Sequence, residues 1–110
     1  MADIYWAESA KEQLASARAS VENYFIGKSL GDILERQIEK FRSELSGKLK
    51  LIKESPRVYM VRMESCFSGL GVRSFTAYWF TFFYVYDENE DAVTILFVRP
   101  STSDLSTLLP

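Results

Sequence analysis

The chain contains no histidine, one cysteine, three prolines and five glycines in 110 residues. Without histidine, the commonest general base and the commonest metal ligand are both missing. A single thiol, Cys66, forbids an internal disulfide and cannot make a zinc centre. One cysteine also suits a reducing cytoplasm. No apolar stretch approaches the ~20 residues of a membrane span. The short acidic start, Met1 to Trp6, does not read as a signal peptide. A G-x-S-x-G nucleophile elbow is lacking too, which disfavours a conventional hydrolase. No metal, no cofactor and no membrane partner are expected.

Charge of one sign is also in short supply. Thirteen basic and fifteen acidic residues leave a formal charge of −2 and a pI near 5.2. That balance argues against a dedicated nucleic-acid binder, although not against a local patch. Lys48, Lys50, Lys53, Arg57, Arg62 and Arg73 form such a concentration, with only Glu54 and Glu64 between them. The plainer interpretation of such a run is a solvated face. With 47% apolar residues, the composition fits one globular domain over residues 1–110. Residues 100–110 form a Ser/Thr-rich tail, either a docking helix or disordered, with Leu105, Leu108 and Leu109 at helical spacing.

Aromatic residues are plentiful and clustered. Eight of the twelve residues from Phe75 to Tyr86 are aromatic, with no Pro or Gly among them. Such residues favour strands. Tyr78, Phe80, Phe82, Tyr84 and Tyr86 fall on one side of the strand, and Trp79, Thr81, Phe83 and Val85 on the other. With both faces apolar, it reads as a central strand covered twice. In so short a chain, one of the covers is expected to come from another protein.

The remaining elements follow from local pattern. Asp3–Trp6 is β-prone and suits an edge strand. Ser9-Ala10-Lys11-Glu12 has the capping-box form, and Leu14, Ala17, Val21 and Tyr24 mark the buried face of a helix from about Ser9 to Ile26. A second helix starts near Ser29–Asp32, carries Leu34, Ile38, Phe41 and Leu45, and ends at Gly47 or runs on to Glu54 before Pro56. Arg57–Glu64 reads as a strand with Tyr59, Val61 and Met63 on one side. Ser65–Gly71 is a loop, Val72–Thr76 a strand, and a tight bend lies near Ala77. Phe80–Tyr86 and Ala92–Val98 form a hairpin around an acidic turn. The class is therefore α+β: a short strand and an α-helical hairpin on a three- to four-stranded antiparallel sheet.

This order resembles the RelE/ParE superfamily of bacterial type II toxins. The resemblance covers about Asp3 to Arg99. It rests on Ile4-Tyr5-Trp6-Ala7-Glu8-Ser9-Ala10 leading into the first helix, and on a long second helix ending at Leu51–Pro56. It rests further on Val72-Arg73-Ser74-Phe75, Phe82-Phe83-Tyr84-Val85-Tyr86-Asp87-Glu88 and Val93-Thr94-Ile95-Leu96-Phe97-Val98-Arg99. The resemblance implies a compact toxin neutralised by a cognate antitoxin. It implies action either by cleaving mRNA on the ribosome or by inhibiting DNA gyrase. Arg73 and Arg99 match the basic positions of the family and are its candidate catalytic residues.

Metal-free RNA cleavage needs charge stabilisation at phosphate, which Arg and Lys supply. Lys48, Lys50, Lys53, Arg57 and Arg62 are the candidate RNA- or target-binding residues on that basis. Two departures weaken the endoribonuclease expectation. The chain is slightly acidic where RNA-cleaving members are basic, and it has Tyr78-Trp79-Phe80 where they tend to carry Arg. A binding-based toxin accommodates both. The alternative is a non-enzymatic interaction module of the same fold that uses its apolar face for another partner or a homodimer.

Overall fold

The computed structural model describes residues 1–67 and 69–101. The expected docking tail beyond Ser101 lies outside the described residues. The elements are β1 (Asp3–Trp6), α1 (Glu8–Gly27), α2 (Leu34–Glu54), β2 (Arg73–Ala77), β3 (Phe80–Asp87) and β4 (Ala92–Pro100), with single 3₁₀ turns at Gly31–Ile33 and Ser65–Phe67. They form one four-stranded sheet in the order β1-β4-β3-β2.

The hairpins β2–β3 and β3–β4 are antiparallel, as expected, but β1 joins β4 in parallel. The direction follows from where α2 ends. The Ala2 N–H donates to the Lys53 carbonyl at 3.0 Å, so α2 finishes beside the start of β1. β2 then sets out from the same end of the sheet, and two hairpins later β4 runs the way β1 does.

The helices pack on one sheet face. Ala10, Ala17, Val21 and Phe25 of α1 and Phe41 and Ile52 of α2 are buried there against Phe75, Phe80, Phe82, Tyr84, Val93 and Ile95. Alanines at two of the α1 positions let that helix sit close to the strands. Phe25 takes the buried place expected of Tyr24, which stays half exposed. The capping box does not form either. Ala7 is the N-cap of α1, and the Ser9 hydroxyl instead donates to the Leu96 carbonyl at 3.2 Å, tying the helix to the sheet. Gly47 leaves α2 uninterrupted, because neighbouring turns packed on the sheet outweigh its ~1 kcal/mol propensity cost.

The opposite face was expected to need an outside cover. The chain supplies part of one itself. Phe67 and Val72, from the loop before β2, are buried with Phe83 and pack against Val85, Leu96 and Phe97. A bulge makes this possible. Between the pairs Phe83–Phe97 and Tyr84–Ile95, β4 carries Leu96 as an extra residue. Ile95 and Val98 can then both face the helices, while Leu96 and Phe97 both face outward.

The expected strand Arg57–Glu64 reduces to one bridge, Val61 to Arg73. Beside that bridge the Arg73 guanidinium donates to the carbonyl oxygens of Arg57 and Tyr59, so a side chain rather than a backbone ladder ties this segment to β2. The bend expected near Ala77 is a two-residue hairpin with Tyr78 at φ +57°. Residues with a side chain avoid that region at a cost of ~1–2 kcal/mol. Tyr78 is held there by α2. Its N–H donates to the Glu44 carboxylate, its hydroxyl donates to Gln37 Oε1 at 2.6 Å, and its ring stacks on Phe41.

Phe82 is fully buried between Phe75 and Trp6, so Phe82→Ala should cost about 3–5 kcal/mol in urea unfolding. Burial pushes the Tyr84 phenol from 10.0 up to about 12, while its hydroxyl donates to the Pro56 carbonyl at 2.9 Å. The stability this group contributes is complete below its unfolded value and is lost as the pH climbs through that window. Tyr84→Phe should therefore flatten the fall in the urea midpoint between about pH 10 and 12.

Candidate functional site: a basic groove beside an open strand edge

A groove of about 550 Å³ lies between α2 and β1. Its floor is apolar: Ile4 and Trp6 from β1, Leu45 and Leu49 from α2. Its rim is cationic, formed by Arg42, Lys50 and Lys53, with no carboxylate among the lining residues. Arg42 is shared with Glu39 at 3.1 Å, an exposed pair worth little. Lys50 and Lys53 have no ion pair among the described residues. Positions 42, 46, 49 and 53 recur every three or four residues, so one face of α2 supplies most of the wall.

The strand bordering the groove is an edge. Asp3 and Ala7 donate their N–H groups toward β4, to the carbonyls of Asp91 and Ile95 at 3.1 and 3.0 Å. Alternation then turns the N–H groups of Ile4 and Trp6 away from β4, toward the groove side. An open row of backbone donors beside an apolar floor and a basic rim suits an extended, acidic, apolar segment.

The candidate residues named above do not come together in one place. Arg73 lies on the helix side of β2 and spends its guanidinium on loop carbonyls. Arg99 lies four residues past Ile95 on β4, with its guanidinium 5.1 Å from the Phe97 ring on the outer face. The two therefore sit on opposite faces of the sheet. Lys48 donates to the Tyr59 hydroxyl at 3.3 Å. Arg57 pairs with Glu88 at 2.7 Å and covers the Tyr86 ring. Arg62 grips Glu64, donates to Ser74 at 2.9 Å and lies over Phe83. The hydrogen bond from Arg62 holds the Glu64 carboxyl below its usual value. Of the seven, only the side chains of Lys50 and Lys53 make no hydrogen bond, ion pair or ring contact among the described residues; Arg99 donates to the Val98 carbonyl at 3.0 Å.

The groove also uses residues not singled out beforehand: Arg42, Ile4 and Trp6. The spacing of Arg42, Leu49 and Lys53 was a signal for one helix face, but nothing local joins that face to β1. Among the described residues, no group of three or more His, Cys, Asp or Glu could hold a metal ion. No helix of the described residues is long and apolar enough to cross a membrane.

No protein-family model matches the sequence, and no curated protein matches it. Solved structures do match by shape. One is from the chromosomal ParDE TA system of P. aeruginosa, with TM-score 0.57 over 91% of this chain and 96% of that one, at 12% identity. The chain has the RelE/ParE-like fold. At that identity the likeness concerns backbone architecture: the strand, helical hairpin and sheet agree, while side-chain chemistry has to be judged from this chain alone.

Within this fold the two arginines have separable roles. Arg73→Ala orphans two carbonyls and should lower stability by about 1–3 kcal/mol. Arg99→Ala should change it by less than about 0.5 kcal/mol. Paired urea titrations check both.

Proposed function

We propose that the chain is the toxin-like component of a bacterial type II toxin–antitoxin module, working in the cytoplasm by binding its target rather than by cleaving RNA. The observation that carries this reading is the match in fold, over nearly the full length of both chains, to a ParDE system. An antitoxin is the natural occupant of the α2–β1 groove. Its extended segment would add to the β1 edge, and its acidic side chains would meet Lys50 and Lys53. DNA gyrase is the proposed target.

Two features favour binding over chemistry. Arg73 and Arg99 face opposite sides of the sheet, and Arg73 is committed to the loop before β2. Metal-independent cleavage needs a proton acceptor, a proton donor and an anion clamp within hydrogen-bond reach of one phosphate. The ribosome-dependent mRNA endoribonuclease remains the second reading, on one observation: the Arg99 guanidinium, bonded only to the Val98 carbonyl among the described residues, lies over an aromatic face formed by Phe97 and Phe83. Stacked rings beside an arginine suit an unpaired base.

Inducible expression, with and without the neighbouring gene, decides among these. Growth arrest with DNA-damage signalling and intact message is the expected result. Cleaved message that disappears with Arg99→Ala would move the assignment to the nuclease. Unimpaired growth with soluble product would remove the toxin assignment and leave a non-enzymatic module; sedimentation then shows whether it is a homodimer. For the complex with the neighbouring gene product, Lys50→Glu with Lys53→Glu should weaken binding by about 10- to 100-fold, read by titration calorimetry at low salt.

A further inference from the structure

The open edge of β1 has fixed ends. At one end the Ala2 N–H is spent on the Lys53 carbonyl. At the other, Ala7 turns its N–H to Ile95 and becomes the N-cap of α1. Between them, Ile4 and Trp6 direct their N–H and C=O groups away from β4. Two open residues spaced by two pair with a partner strand about five residues long.

The side chains decide which strand fits. Ile4 and Trp6 lie on the groove side, so Tyr5, 56% exposed, lies on the other face. A strand laid beside β1 likewise sends every second side chain into the groove, at intervals of about 6.6 Å. The α2 wall it meets is not uniform. Leu45 and Leu49 form its middle, and Arg42 and Lys53 stand at its two ends, with Lys50 beside Lys53. From Arg42 to Lys53 the helix axis advances about 16 Å. Three successive inward side chains of a partner strand span about 13 Å. The outer two then reach the cations, and the middle one lies over the apolar floor.

A second copy of the chain is a poor occupant. Pairing β1 with its own copy would set two cationic rims side by side, and like charges across a short gap repel. An acidic segment removes that conflict and meets the charge already in place.

We propose that this groove selects an extended segment of the form acidic–x–apolar–x–acidic, with the apolar residue and both acids facing α2. The pattern is the same read in either direction, so it holds for parallel and antiparallel addition. The inference rests on the reading of this groove as the seat of a protein partner, and it deepens that reading by fixing the chemistry the partner presents. The x positions lie on the Tyr5 face, where β-branched residues suit an added strand.

Two end-capped peptides of one composition test it. Thr-Glu-Thr-Val-Thr-Glu-Thr puts Val and both Glu on one face; Thr-Thr-Glu-Val-Glu-Thr-Thr puts both Glu on the other. Each is titrated into the full chain at low salt and followed by amide NMR. The first should bind about tenfold more tightly or better and slow hydrogen exchange at the Ile4 and Trp6 amides. Its advantage should vanish in the variant Lys50→Glu, Lys53→Glu, whose amide spectrum also reports its fold. Equal affinity for the two orders, including no shift with either at millimolar peptide, overturns the proposal. So does tighter binding that leaves the Ile4 and Trp6 amides unprotected. Growth arrest on expression, together with equal peptide affinities, would retain the toxin assignment and remove this inference alone. A preference for the first order in a chain that does not arrest growth would retain this inference and remove the toxin assignment.

Discussion

Everything else in the molecule answers to β3, a strand apolar on both faces. Phe80, Phe82 and Tyr84 point one way, Phe83 and Val85 the other. Exposing either face to water would forfeit roughly 1.5–3 kcal/mol per large side chain. Two helices are enough for one side only. The chain covers part of the other by folding the loop before β2 back across the sheet, so that the Phe67 ring packs at a tilt against Phe83 and Phe97. The bulge at Leu96 serves the same demand, since it lets one strand deliver Ile95 and Val98 inward and Phe97 outward.

That second cover also reshapes the charge pattern. The loop that carries Phe67 is held by Arg62 on Glu64 and Ser74, and its base by Arg73 on the carbonyls of Arg57 and Tyr59. Cations that look in sequence like a single basic patch are thus partly structural. The ones left over lie elsewhere: Lys50 and Lys53 beside the open edge of β1, and Arg99 on the outer face. A surface so divided suits recognition of partners more than concerted proton transfer at one phosphate.

Both sheet edges are incomplete, and each is managed differently. β4 outruns β1, and Gln13 and Ser9 plug its exposed backbone groups. Among the described residues β1 has no such plug, and the groove borders it. On the β2 side, Arg57–Glu64 approaches as an incipient strand but gains one bridge, and the Arg73 guanidinium ties the rest of it down through the Tyr59 carbonyl. Side chains that satisfy an edge locally are a recurrent way to prevent unwanted pairing.

The elements that read correctly in sequence were those with strong local signals: α1, α2, the hairpin β3–β4 and the bend near Ala77. Capping at Ser9 and a strand at Arg57–Glu64 were equally good local readings, yet both failed. The Leu96 carbonyl took the Ser9 hydroxyl, and beyond one bridge the Arg57–Glu64 segment is tied to β2 by the Arg73 side chain. The amino-acid order alone determined an α+β chain with a central aromatic strand, because side-chain alternation and helical spacing are local properties. Tertiary structure decided which cations stay free, where the groove opens and how much of the second sheet face the chain covers. Those outcomes depend on residues far apart in sequence meeting in space, as Lys53 does with Ala2 and Phe67 with Phe97.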